Sequence, residues 1–177
     1  MPAKSPKNIE FKTALDETLE GWRDVRDGLI DEVRNIPAST FDFRPADGVR
    51  SVRELIQHIL EVAMFMTEEL TRPDTDLTRA SWGKLIGPHT RAAARAKTKQ
   101  QLIALLKSQM KDAERCFRAA GEIALNQTLT RFDGKLGTKM AWFHHGIAQE
   151  MYHRGQLATY ERLMGLEPAL TKRIRGG

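Results

Sequence analysis

Two of the chain's five histidines stand out by position, His58 and His153. His58 falls among Leu55, Ile59 and Val62, on a helical face that its neighbours mark as apolar. His153 belongs to a polar row. At about 100 degrees per residue, His145, Gln149, His153, Gln156 and Tyr160 share one sector of about 80 degrees, with Trp142 inside it. Such a row ordinarily faces water. Here the rest of the helix leaves no separate apolar stripe, so the row is expected to point inward, where an unpaired polar group costs about 1–3 kcal/mol. A histidine and a carboxamide one turn apart stand about 6 Å apart along the axis and can close on one ion. A further ligand from a facing helix is how bundles build metal sites, and His58 is placed to supply it. The plainer use of the same residues is a set of hydrogen-bonded core side chains.

Positioning these groups takes helices, and the periodicity is helical throughout. Phe11, Leu15, Leu19, Trp22, Val25, Leu29, Val33 and Ile36 step by three or four residues, which predicts a helix over 9–36 ended by Pro37. A connector with Pro45 and Gly48 follows. Ser51 and Glu54 form a capping-box pattern, opening a helix over 51–70 whose buried face holds Leu55, Ile59, Val62 and Met66. From Thr71 to Lys99 the pattern is interrupted by Pro73, Gly83, Gly87 and Pro88, which predicts a long excursion with a short helix near Ala92. The third long helix spans 99–121, with Leu102, Leu105, Leu106, Gln109, Ala113, Phe117 and Ala120 inward. Asp133-Gly134 and Gly137 mark turns, and Thr138 caps a last helix over 138–164. Gly165 stops that helix, Pro168 forbids its resumption, and 166–177 is read as a basic tail. The expected fold is all-α: a four-helix bundle in a single domain over 1–177, because four amphipathic helices bury their stripes most economically that way.

Composition narrows the function classes. A chain of 177 residues can bury a core without disulfides, and the single cysteine, Cys116, excludes an intrachain bridge. That fits a reducing cytoplasm, and no cationic neighbour marks Cys116 as reactive, so it is assigned to packing. Met1 to Ile9 has no apolar core of signal-peptide length, and no apolar stretch is long enough for a bilayer. A cytoplasmic protein with no membrane partner is expected. The net charge of +5 comes from Lys and Arg interspersed with acids. Local excesses lie at Arg91, Arg95, Lys97 and Lys99 and at Lys172, Arg173 and Arg175. Without aromatic interleaving or a recognition motif they do not argue for nucleic acid.

Two segments then carry a family resemblance. His153-Arg154-Gly155-Gln156-Leu157, followed by Leu163-Met164-Gly165, and Ser51 to Ile59 with its His58 are similar to the corresponding segments of the DinB / YfiT-like superfamily of metal-dependent enzymes. The resemblance runs from about Phe11 to Gly165. It implies a four-helix bundle with a long crossover connection, frequent homodimers, and a three-ligand site for zinc, nickel or another divalent ion. The family's ligands are one histidine of the second helix and two residues spaced i, i+4 on the last long helix, which by matching are His58, Gln149 and His153. The departure is Gln149, where histidine is usual and members similar to the mycothiol-dependent isomerases carry glutamate. A neutral carbonyl oxygen is a poor ligand for a borderline-soft ion, and three neutral ligands leave the ion its full charge. His145, one turn further down, and Glu150, at i−3 from His153, are second-line ligand candidates.

The expected function is a metal-dependent enzyme, a thiol-dependent S-transferase or a hydrolase. Its open coordination position would activate water or a low-molecular-weight thiol cosubstrate toward a small-molecule substrate. No residue is singled out as a general base; Tyr152 and Tyr160 are the candidate proton donors. Arg154 is expected to pair with a carboxylate and Gln156 to orient a ligand. His144 is assigned to the surface or an interface, and His89 to solvent. The alternative is a non-catalytic dimeric binding or stress-response module that keeps the bundle around a degenerate metal site.

Overall fold

The computed structural model describes residues 12–176. Helix α1 runs over Ala14–Asn35, opened by a reciprocal capping box between Thr13 and Asp16. The positions expected to precede it, Ile9 to Phe11, lie outside the described residues. After a 3-10 turn at Ala38–Thr40, α2 spans Val52–Thr71, and its Ser51–Glu54 capping box forms as the sequence pattern requires. Glu54 is further held by a two-pronged pair with Arg44. Helix α4 covers Lys99–Leu125 and α5 covers Lys139–Leu163, capped by Thr138 onto the Ala141 amide.

The excursion is more ordered than its prolines and glycines suggest. Helix α3 occupies Trp82–Ala93 with Pro88 inside it, burying Ile86 and Ala93 as it packs on α2. The regular helix of α4 ends at Gly121, as its sequence pattern requires. That glycine turns the backbone at φ 79°, and a further turn continues to Leu125. Around Asp133-Gly134 the chain forms an antiparallel hairpin, β1 (Thr128–Thr130) with β2 (Leu136–Thr138), registered Leu129 to Gly137. The helical periodicity gave no sign of it because each strand has only three residues. Thr130 also exchanges backbone bonds with Thr75 and Leu77, tying the excursion to the hairpin. The expected tail is partly helical too: α6 spans Ala169–Arg175, and Pro168 stands at its N-cap, where a missing N–H costs nothing.

Helix α1 packs on α4 and α5, and α2 packs on the same two. The consecutive helices α1 and α2 are therefore diagonal, and the chain crosses the bundle between them. The core falls into two apolar clusters. One gathers Trp22, Phe117 and Phe143, with the two phenyl rings stacked at 4.1 Å. The other gathers Leu29, Ile59, Leu106 and Leu157. Between them lies a buried polar layer. Arg26 donates to both oxygens of Glu150, at 2.5 and 2.8 Å, and to the Leu106 carbonyl and Gln109. A second polar pocket lies near α6, where Asn35 donates to Glu161 and to the Glu167 carbonyl, and Glu32 accepts from the Ala169 amide. Gly28 lets Arg154 lie across α1, since a Cβ there would fall on the guanidinium.

Candidate metal centre

The α2–α5 contact brings His58 and His153 together. Their rings stand 5.0 Å apart between centroids and nearly perpendicular. His58 is half-buried, and His153 is 7% exposed. One turn before His153 on α5, the Gln149 amide nitrogen lies 3.3 Å from His58 Nε2 and 3.2 Å from His153 Nε2.

Each ring is fixed by its other nitrogen. His58 Nδ1 stands 2.6 Å from the Glu61 carboxylate, one turn along α2, and His153 Nδ1 stands 2.6 Å from Gln156 Oε1, one turn along α5. Both partners are oxygen acceptors, so both Nδ1 atoms carry the proton and both Nε2 atoms present a lone pair. The Gln149 amide then donates one hydrogen to each. Burial holds His153 below the usual imidazole pKa, with the nearby His58 and Arg50 charges adding to that and the Gln156 bond opposing it. At Glu61 burial pushes the carboxyl up, but the bonds from His58 and Thr90 and the charges of His58 and Arg50 outweigh it and leave it lowered. A neutral His153 with an ionised carboxylate behind His58 is the protonation state in which imidazoles bind metals.

The donor set fits an ion. Two Nε2 lone pairs converge on one point, each backed by an oriented Nδ1–H. A half-turn of the Gln149 carboxamide about its last bond swaps the N–H face for the carbonyl oxygen, giving a third donor. Among the described residues no group of three His, Cys, Asp or Glu side chains could hold a metal, so the carboxamide decides the ligand count.

Two cavities open on this cluster. One, of about 280 Å³, is walled by Phe65, Trp82, Phe132 and Trp142 and reaches His58 and Gln149. The hairpin and α3 make its rim, with Trp82 and Phe132 edge to face at 5.1 Å. The other, of about 430 Å³, lies beyond His58 and Glu61 and is lined by Arg44 and Arg50.

The sequence profile of the DinB superfamily matches residues 21–157, which takes in both histidines and Gln149. The chain belongs to the DinB superfamily. Solved structures share its DinB fold. A DinB-like protein, YjoA, from Bacillus subtilis is 19% identical, covering 84% of this chain and 92% of its own, with a TM-score of 0.64. YfiT from Bacillus subtilis, described as a probable metal-dependent hydrolase with an unusual four-helix bundle topology, is 17% identical, covering 92% of this chain and 94% of its own, with a TM-score of 0.68. A mycothiol-dependent maleylpyruvate isomerase is 13% identical, covering 82% of this chain and 61% of its own, with a TM-score of 0.64. No curated protein sequence matches the chain.

Within the DinB bundle the second-line candidates go elsewhere. Glu150 turns the other way: it is 3% exposed and accepts from Trp22 Nε1 and Arg26, because only an opposite charge makes a buried carboxylate tolerable. His145 is exposed and stacks on Trp142 at 4.5 Å, lining the aromatic cavity rather than joining the ring pair. Arg154 faces Glu32 at 3.7 Å, the carboxylate expected of it, and Gln156 orients His153. His144 lies at the surface against Thr18. His89 is not solvated but packs edge-on to Phe65, with Glu68 3.6 Å away. Cys116 is only partly buried. Tyr160 spends its hydroxyl on the Arg50 carbonyl, and Tyr152 is exposed. Two residues escaped sequence reading, one in the site and one in the buried layer behind it. Glu61 was signalled by its i+3 spacing from His58. Arg26 was signalled by its place in the α1 apolar stripe, where a cation requires a buried anion. Among the described residues no helix is long and apolar enough to cross a membrane.

Proposed function

We propose that this DinB protein is a metal-dependent enzyme, a hydrolase or a thiol-dependent S-transferase, with a divalent ion held by His58, Gln149 and His153. The supporting observation is the pair of Nε2 lone pairs converging on one carboxamide, each ring locked by its own Nδ1 partner. An ion there supplies Lewis acidity, which lowers the pKa of a bound water or thiol. The chain's part is to hold both imidazoles aimed, through Glu61 and Gln156, and to present a small-molecule substrate from the adjoining cavities. Zinc or nickel, a low-molecular-weight thiol cosubstrate and a homodimer belong to the same proposal. The relatives with metal- and mycothiol-dependent descriptions support it by fold alone.

The test is the metal content of protein purified without a histidine tag, with and without His58→Ala. Near-stoichiometric zinc or nickel that disappears on substitution is expected. Absence of metal, with melting unchanged by chelator, would favour the second reading: a dimeric binding or stress-response module. One observation favours that module. The Gln149 amide satisfies both ring nitrogens without any ion.

A further inference from the structure

The two cavities meet at His58, and their walls differ in kind. On one side four aromatic rings bound about 280 Å³, and two of them, Trp82 at 46% and Phe132 at 37% exposed, are large apolar side chains left open at the rim. On the other side the cleft of about 430 Å³ holds two arginines with different commitments. Arg44 is engaged by both oxygens of Glu54. The Arg50 side chain makes no hydrogen bond or ion pair among the described residues; only its backbone carbonyl is used, by Tyr160. The remaining carboxylate of that cleft, Glu61, is committed to His58 Nδ1. Arg50 is nonetheless close enough for its charge to be felt at Glu61 and His153. A guanidinium beside a polar cluster, with its fork of donors unspent, is suited to a carboxylate or another oxyanion.

We propose that the site binds a small molecule with an aromatic or otherwise flat apolar body and one oxyanionic end, the body among Phe65, Trp82, Phe132 and Trp142 and the anion on Arg50, so that its middle crosses His58 and Gln149. This substrate class rests on the reading of the ring pair as a reaction centre. Pocket size agrees: each cavity is near or within the range that holds small ligands, roughly 300–1,000 Å³. A flat body gains from ring faces on several sides, and Arg50 separates anionic from neutral analogues of the same shape.

The test uses the full chain after chelator treatment, so that metal occupancy, measured separately on the untreated protein, does not enter. Trifluoromethyl-phenylacetate and its primary amide are titrated by fluorine NMR. The acid is expected to bind about tenfold more tightly than the amide, the scale of one charge-assisted contact at a partly open site. Arg50→Gln should abolish that preference, while Arg50→Lys keeps part of it and Arg34→Gln, which lines neither cavity, leaves it whole. Trp82→Ala should weaken both probes alike. Melting curves of each variant check that it folds. Equal binding of acid and amide, a preference that survives Arg50→Gln, or no binding of either probe would each overturn the proposal. If the untreated protein carries no metal while the acid preference holds, the metal-dependent enzyme reading fails and the ligand assignment stands.

Discussion

Gln149 and Glu150 are consecutive on α5 and face two polar layers of opposite character. Glu150 looks into the bundle, where Trp22 and Arg26 take up both of its oxygens and Arg26 spends its remaining donors on Leu106 and Gln109. That layer is closed, its charges balanced and its bonds made. Gln149 looks toward α2, where two ring nitrogens share one amide and two cavities open. A buried ion pair must be complete, because either charge left alone costs several kcal/mol. A neutral carboxamide can be left adaptable, and adaptability is what a ligand site needs.

The largest break in this comparison comes from the closed layer. Glu150→Ala strands Arg26 and should lower unfolding free energy by about 3–5 kcal/mol, whereas Gln149→Ala should cost less than about 1 kcal/mol, both read from urea denaturation. Replacing both charges at once, Arg26→Met with Glu150→Leu, should recover most of the loss. Equal losses for the two single variants would erase the distinction.

The pocket near α6 sharpens the contrast, because it pairs like with like. Burial, and then a hydrogen bond and repulsion from Glu32, push the Glu161 carboxyl up to about 8, against the pull of Asn35 and Lys172. Glu161 Oε2 receives no hydrogen bond from any donor among the described residues, as fits the oxygen that carries the proton toward Glu32. In the unfolded chain the same group titrates near 4.5, so the unfolded state binds fewer protons between these values. Stability from this site is full below 4.5, falls as pH rises and is lost above about 8. Glu161→Gln should flatten that slope in melting temperatures measured from pH 4 to 9 without changing metal binding. An unchanged slope would mean the pair does not share a proton.

The open layer responds in affinity rather than in stability. Gln149→His should raise zinc affinity at least tenfold or so by supplying an imidazole in place of a carbonyl oxygen. Glu61→Gln should lower it by about tenfold, as loss of an orienting partner does. Both are measured by competition with a chromophoric chelator. The smallest effect is expected at the entrance to α2, where Ser51→Ala removes a cap worth about 1 kcal/mol and shifts melting without touching either layer.

Much of this was legible in the sequence, for local reasons. Ser51 and Glu54 announce the start of α2 because a capping box is a four-residue event. The angular row on α5 gave the inward face of His153 and Gln149, and the apolar neighbours of His58 gave its side of α2. The destination of Glu150 was not legible from α5 alone. Its partner lies 124 residues away on α1, and only the presence of Arg26 between Trp22 and Leu29 hinted that a carboxylate must arrive there. The aromatic cavity was hidden for the same reason. Trp82 and Phe132 come from an excursion and a hairpin tied together by long-range backbone bonds at Thr130, not by any local periodicity.

The terminal amide of Gln149 has one more consequence. A chelate of three imidazoles or carboxylates is left with converging lone pairs when its ion departs, and that repulsion holds the ion in place. Here half a rotation would turn the proposed ligand into a double donor, so the cluster without an ion is internally quiet. If the proposed ion is held there, its exchange with the medium should be easy, and occupancy should follow the surrounding metal supply instead of being locked in at folding.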